Sequence, residues 1–116
     1  WCNYYGVPIK NGVAILYKSV NNDYSNGHNR SVFYKPETKP KAPDWDGGKE
    51  ECGGGLHFSP TPAMALEFHS PSDGRFVGCP VKVSEIVVHE DGAYPQKVKA
   101  PRCGKVFECD RHGEPI

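Results

Sequence analysis

The longest apolar stretch of the chain lies between two polar turn signals. Val13 to Val20 reads Val-Ala-Ile-Leu-Tyr-Lys-Ser-Val, with Asn11-Gly12 before it and Asn21-Asn22 after it. A nearly continuous apolar run of this length is typical of a central strand that is buried on both faces. Lys18 is the charged residue of this run. It needs a partner, a path to water at the strand end, or a cleft to face.

The next segments alternate between short extended runs and polar connections. Ser31 to Lys35 is predicted to be a second strand, which forms a long hairpin with the first. Residues 36–51 are too rich in proline and charge for regular structure and are predicted to form a long loop. Within this loop Trp45 is expected to pack back on the body of the protein, because an exposed indole would be unfavourable.

A glycine run introduces the most informative part of the sequence. Cys52-Gly53-Gly54-Gly55 precedes a predicted strand at Leu56 to Ser59 and a predicted helix at about Pro62 to His69. Ser59 or Thr61 is expected to cap this helix, and a proline at its first position favours the helix start. The helical spacing predicts a buried face formed by Met64, Ala65 and Phe68.

The C-terminal half predicts further strands. Phe76 to Val83 alternates, with Val77, Cys79, Val81 and Val83 on one face, and Pro80 places this strand at an edge or a bulge. Extended runs follow at Ile86 to His89, Lys97 to Ala100 and Lys105 to Cys109. The predicted fold class is α+β: a twisted, mainly antiparallel β-sheet of about six strands, continuous or split, with one short helix and a long Pro-rich loop.

Size and composition narrow the classes of protein that fit. The 116 residues are expected to form a single domain, 1–116, with an irregular N-terminal segment, 1–12. Lysine plus arginine and aspartate plus glutamate number 14 each, so no global charge attracts nucleic acid or an anionic membrane. No apolar run approaches the roughly 20 residues of a membrane span. Five cysteines without a close CxxC pair favour a reducing compartment, so we expect a cytoplasmic location, in the producing cell or in a target cell.

His57 and Ser59 are the first candidates for chemistry. They share one side of the predicted strand, and the preceding glycines are expected to leave space over that side for a pocket. The alternatives are a histidine satisfied within the core and a serine that only caps the helix.

A second constellation suggests metal. Cys52, Cys79, Cys103, Cys109 and His112 offer the sulfur and nitrogen ligands that zinc prefers, although their spacing differs from that of zinc knuckles. Cys79 lies on the apolar face of its strand, where cysteine usually behaves as a small hydrophobic residue. The set considered for zinc is therefore Cys52, Cys103, Cys109 and His112.

Charged residues near the C-terminus suggest a third possibility. Lys97, Lys99, Arg102 and Lys105 form a basic cluster that suits phosphate on a nucleotide or nucleic acid, or that protects a solvated strand edge from aggregation. Glu108 suits an acid, a base or a residue that stabilises an oxocarbenium ion, and is otherwise an exposed strand residue.

Two resemblances extend this interpretation. Most of the chain resembles a family of small bacterial and phage domains that share a Tyr-Lys strand, a Gly-Leu-His motif and a late Lys-Val-Lys-Ala strand. The matching segments are Leu16 to Val20, Ala42 to Asp46, Glu51 to Pro60 and Pro95 to Ala100.

The chain is more distantly similar to ADP-ribosyltransferases, in which a first strand carries Arg or His, a Gly-x-aromatic strand followed by Ser or Thr precedes a short helix, and a late strand carries Glu. Lys18, His57-Phe58-Ser59 and Glu108 occupy those places, with lysine instead of Arg or His in the first strand. This resemblance implies catalytic residues Lys18, His57 and Glu108. It also implies NAD contacts from Tyr17, Gly55, Phe58 and Ser59, in a cleft of a split sheet.

Two functions follow as hypotheses. The first is an ADP-ribosyltransferase-like enzyme domain, an effector or toxin, with NAD as its nucleotide substrate and a protein or nucleic acid as acceptor. The alternative is a non-enzymatic module, with or without zinc, that binds protein or nucleic acid through residues 36–51 and the edge from Lys97 to Lys105.

Overall fold

The computed structural model describes residues 1–26, 32–48, 50 and 54–116. Seven strands and one short α-helix form in this part of the chain. In order they are β1 (Ile9–Lys10), β2 (Val13–Val20), β3 (Leu56–Phe58), α1 (Pro62–Ala65), β4 (Arg75–Lys82), β5 (Val87–Val88), β6 (Val98–Ala100) and β7 (Phe107–Cys109). A 3₁₀ turn at Val83–Glu85 connects β4 to β5.

The strands form two antiparallel sheets. The first has the order β1-β2-β4-β7 and the second has the order β3-β6-β5. The predicted α+β class is confirmed, with the sheet split rather than continuous. No helix in the described ranges is long and apolar enough to cross a membrane.

Strand β2 has the predicted bounds but not the predicted burial. Ala14, Leu16 and Val20 are fully buried, whereas Val13 and Ile15 are partly exposed. Burial on both faces was therefore wrong. One face of β2 packs on the core and the other lies near the surface, as is common for antiparallel sheets.

A single bridge pair in the described residues joins the two sheets. The backbone N–H groups of Tyr17 in β2 and Ser59, just after β3, each donate to the other residue's carbonyl oxygen at 2.9 Å. On either side of this pair β2 and β3 diverge. The inner faces of both sheets nevertheless contribute to one core cluster, which includes Leu16, Val20, Phe58, Val77 and Val98.

The predicted hairpin after β2 reduces to an isolated bridge. Ser25 pairs with Phe33, and the N–H of Tyr34 donates to the carbonyl of Tyr24 at 2.8 Å. Residues 32–35 form no strand, and Ser31 lies outside the described residues. The described residues of the predicted long loop, 36–48 and 50, contain no helix or named strand, as expected.

Helix α1 is shorter than predicted, and its cap is Thr61. The Thr61 hydroxyl accepts a hydrogen bond from the N–H of Met64 at 3.1 Å, so Ser59 is not the cap. Because the helix ends at Ala65, its periodicity does not extend to Phe68. The prediction that Phe68 is buried was wrong, since 36% of its surface is exposed.

Pro80 lies in an interior strand rather than at an edge. Strand β4 pairs with β2 along its whole length, but β7 pairs only with Phe76 to Gly78. Pro80 therefore lies beyond the end of β7, where its missing N–H removes no ladder bond to that strand. Its carbonyl accepts from the N–H of Gly104 at 2.7 Å.

Candidate functional site

A cleft of about 340 Å³ opens where β2 and β3 diverge. Strand β2 contributes Tyr17, Lys18 and Ser19, and the chain around β3 contributes His57, Phe58 and Ser59. The rest of the lining comes from Asn26, Ala65, Glu67, Phe68, His69, Tyr94 and Lys97. The cleft thus combines aromatic rings with several polar and cationic groups, which is the usual composition of a small-molecule site.

Lys18 lies at the base of this cleft. Its ammonium donates a hydrogen bond to the backbone carbonyl of His57, and it lies 4.8 Å from the ring centre of Tyr34 and 5.6 Å from that of Phe58. The two rings stabilise the positive charge through their electron-rich faces. The charge of Lys18 within the apolar strand β2 is therefore accommodated by a carbonyl acceptor, two aromatic rings and access to the cleft.

The surroundings of Lys18 make its ammonium less stable than in water. Burial removes hydration from the charge and lowers the pKa of Lys18 from 10.5 to about 8. Neighbouring Cys79 and Cys103 oppose this change, while the charge of Lys97 adds to it. The neutral amine is thus accessible near neutral pH.

Lys97 provides a second ammonium group in the lining of the cleft. Its nitrogen lies 5.3 Å from the ring centre of Phe68 and 5.9 Å from that of Tyr94. The two rings contact each other edge to face, with their centres 5.3 Å apart. Lys97 itself is buried, whereas both rings are partly exposed at the mouth of the cleft. These residues form what we call the aromatic mouth: Phe68, Tyr94 and Lys97.

Sequence reasoning missed the aromatic mouth as a unit. The sequence pattern predicts Phe68 in the core and Lys97 on a basic edge, and it gives no role to Tyr94. The three residues come from separate segments, and their association depends on how the turn after α1 meets the turn before β6. A local pattern carries no signal for that contact.

His57 and Ser59 both line the cleft, with different surroundings. Ser59 is buried and forms the backbone bridge to Tyr17. His57 is partly buried and pairs with Lys99 across β3 and β6, so their side chains share one face of the second sheet. The Tyr17 hydroxyl packs near Gly113, away from the bridge, and burial raises its pKa.

The glycines before β3 do not leave an empty space, contrary to expectation. A Cβ atom on Gly54 would lie 1.7 Å from the carbonyl oxygen of Asp44, and one on Gly55 would lie 3.0 Å from the Trp45 ring. Gly55 also has a φ of +136°, which favours glycine. The segment that includes Asp44 and Trp45 therefore fills the space over these glycines. Gly53 lies outside the described residues.

Trp45 packs on the body of the protein, as predicted. Its ring covers Gly55, and the ammonium of Lys99 lies 5.7 Å from the ring centre. Lys99 has no exposed surface, and its nitrogen is 3.7 Å from a carboxylate oxygen of Asp46. We call residues 44–46 the strap, because they hold the irregular segment against the second sheet.

Glu108 lies outside the set of residues that line the cleft. Its carboxylate accepts from the Tyr24 hydroxyl at 2.7 Å and from Arg75 at 3.0 Å. These contacts, that of Tyr24 first, lower the pKa of Glu108. Because Lys18, Val77 and Glu108 are in register, Lys18 and Glu108 lie on the same sheet face, about 10 Å apart across two strand spacings.

The predicted basic edge does not form. Strand β6 pairs with neighbours on both sides, so Lys99 is buried in an interior strand, and Lys97 is buried just before it. Arg102 pairs with Glu85 at 3.5 Å and Lys105 pairs with Glu37 at 3.5 Å. The four cations therefore lie in separate environments, and the expectation of one exposed patch was wrong.

The described residues include no group of three or more His, Cys, Asp or Glu side chains that could hold a metal ion. Cys103, Cys109 and His112 do not come together as such a group, and Cys52 lies outside the described residues. Cys2, Cys79, Cys103 and Cys109 are buried free cysteines.

In comparisons with known proteins, no family model, curated protein or solved structure matches the chain.

Proposed function

We propose that the cleft binds NAD and that the domain is an ADP-ribosyltransferase-like enzyme. The observation that carries the proposal is the divergence of β2 and β3 from the Tyr17–Ser59 bridge. This divergence opens a cleft between two sheets, with a lysine on one strand and an aromatic-Ser pair on the other.

The residues in the cleft fit the chemistry of NAD. Its pyrophosphate is an anion, and Lys18 and Lys97 supply two ammonium groups to the lining of the cleft. Its nicotinamide and adenine rings are planar, and Phe58, Phe68 and Tyr94 supply aromatic surfaces for them. Bound NAD would supply an ADP-ribosyl group joined to nicotinamide by the glycosidic bond that the reaction breaks.

In this proposal the side chains of the protein bind the nucleotide and orient the acceptor. Lys18 holds ribose or phosphate oxygens at the base of the cleft, and Phe58 packs against a planar ring. Glu108 is the carboxylate that orients the acceptor. The bonds from Tyr24 and Arg75 keep it ionised and fix its position.

Binding is tested by isothermal titration calorimetry with NAD. The wild-type protein is expected to bind, and Lys97→Gln is expected to weaken binding at least about tenfold, because it removes one charge-assisted contact. Lys82→Gln is the matched control, since Lys82 is exposed on β4 and does not line the cleft. Absence of heat and of thermal stabilisation at millimolar NAD would refute the proposal.

Transfer is tested separately by nicotinamide release with the folded domain. Glu108→Gln keeps an acceptor for Tyr24 but loses the charge, so we expect release to fall at least about a hundredfold with NAD affinity unchanged. Glu85→Gln is the control, because Glu85 is a similarly exposed ion-paired carboxylate that does not line the cleft. Equal activity of wild type and Glu108→Gln would exclude Glu108 from the reaction.

A further inference from the structure

We propose that Lys18 is a nucleophilic amine that forms an imine with a small anionic aldehyde entering this cleft. This activity goes beyond NAD binding and does not require it.

The amine is positioned for attack on a carbonyl. Lys18 lines the cleft, and one N–H donates to the carbonyl of His57. A neutral amine keeps that bond while its lone pair stays available to an incoming carbon. The rings of Tyr34 and Phe58 hold the side chain in place from the sides.

The environment also makes the neutral amine more accessible than it is in an ordinary lysine. The titratable groups that act on Lys18 are Cys79 from β4, Cys103 from the segment after β6, and Lys97 from the segment just before β6. Burial is the strongest influence and, together with the Lys97 charge, lowers the pKa of Lys18 to about 8. A desolvated lysine beside a second cation is a recognised arrangement for an imine-forming amine.

The ammonium of Lys97 favours a ligand that carries a negative charge. Lys97 faces the same cleft, flanked by Phe68 and Tyr94. The carboxylate in the lining, that of Glu67, accepts from Gln96 at 2.9 Å. A ligand whose aldehyde reaches Lys18 would meet aromatic surface and a positive charge, which suits a planar aldehyde with a phosphate or carboxylate.

The reaction is balanced without an oxidant or reductant. The ammonium first loses a proton to solvent, and the amine nitrogen then bonds to the aldehyde carbon to give a carbinolamine. Loss of water from this adduct leaves the carbon–nitrogen double bond of the imine. Hydrolysis reverses each step.

The probe for this proposal is pyridoxal 5′-phosphate, an aromatic aldehyde that carries a phosphate. The folded wild-type protein is incubated with it, without nucleotide, the imine is trapped with cyanoborohydride, and labelled lysines are mapped by mass spectrometry. At about pH 8 we expect Lys18 to react at least about tenfold faster than the exposed Lys10 and Lys82. The rate at Lys18 should rise through pH 8 and then level off.

Two controls test whether the phosphate of the probe is recognised by Lys97. Pyridoxal without the phosphate should label Lys18 more slowly, and Lys97→Gln should abolish the advantage of the phosphate. The variant should also slow the reaction with pyridoxal modestly, because the Lys97 charge helps to lower the pKa of Lys18. Labelling of Lys18 no faster than of Lys10 and Lys82, or only after denaturation, would overturn the proposal. NAD binding is measured separately, so either result is interpretable whatever the outcome with NAD.

Discussion

At the scale of single residues, two charges on one sheet face have opposite environments. Lys18 is desolvated at the base of the cleft, whereas Glu108 is held by a hydroxyl and a guanidinium. Desolvation favours the neutral form of an ionisable group, and partners of opposite charge favour the ionised form. The protein therefore lowers both pKa values, for different reasons, and each change makes stability depend on pH.

For Lys18 the dependence lies on the alkaline side. Its folded pKa of about 8 is below the unfolded value of 10.5, so between these values the unfolded chain binds more protons and stability rises with pH. Relative to Lys18→Met, the wild type should gain up to about 1 kcal/mol in the free energy of unfolding per pH unit above about pH 8. Urea titrations of both proteins at about pH 7.5 and 9 measure this difference. A constant difference would contradict it.

For Glu108 the dependence lies on the acid side. Its folded pKa is lowered, so its contribution is complete above the unfolded value of 4.5 and is lost as the pH falls through the folded pKa. The wild type should be about 1 kcal/mol more stable than Glu108→Gln at about pH 6, and no more stable at about pH 3. Chemical denaturation of both proteins at each pH tests this, and an advantage that persists in acid would speak against it.

At the scale of elements, the strap explains Gly54 and Gly55 better than an open pocket does. Asp44 accepts a hydrogen bond from the N–H of Gly55 at 3.1 Å, and Trp45 covers the same glycine. The backbone of the strap comes so close that a side chain on Gly54 would overlap Asp44. The glycines are therefore required by the approach of another segment of the chain.

This leads to a prediction for Gly54→Ala. The added methyl group would force the strap away from β3, so we expect a loss of about 2 to 4 kcal/mol in the free energy of unfolding. Gly104→Ala is the matched control, because its Cβ would meet Pro80 at an ordinary distance of 3.4 Å. Its expected cost is within about 0.5 kcal/mol. Similar midpoints for the two variants in guanidinium would show that the strap yields easily.

The elements also mark how far sequence reasoning extends. Strands β2 and β4 were predictable because their apolar positions lie between clear turn residues. The position of Trp45 against the body followed from the cost of exposing an indole. By contrast, the Tyr17–Ser59 bridge and the pairing of β6 on both sides depend on contacts between distant segments. For that reason the sequence pattern predicts an exposed edge at Lys97 and Lys99, although both residues are buried.

At the scale of the whole molecule, one core supports both sheets and therefore the cleft. Phe58 packs edge to face with Tyr34, with ring centres 6.5 Å apart, and it belongs to the same cluster as Leu16 and Val77 of the first sheet. The distance between the walls of the cleft is thus fixed by shared packing. Loss of that packing should affect both sheets together.

Phe58→Ala tests this coupling. Removal of the buried ring should cost about 3 to 5 kcal/mol, and tryptophan fluorescence and far-ultraviolet circular dichroism should still report one coincident unfolding transition. Phe33→Ala is the control, since 42% of Phe33 is exposed and its loss should cost less than about 1 kcal/mol. Two separated transitions would mean that the sheets unfold independently.

The central claim is that the cleft between the sheets binds NAD, and a titration followed by amide NMR tests it most directly. With ¹⁵N-labelled protein, NAD should shift the amide signals of Lys18, Ser59, Phe68 and Lys97 in a saturable way. The signals of Val81 and Val106, which do not line the cleft, should stay in place. Unchanged spectra at millimolar NAD, or shifts confined to residues away from the cleft, would contradict the account.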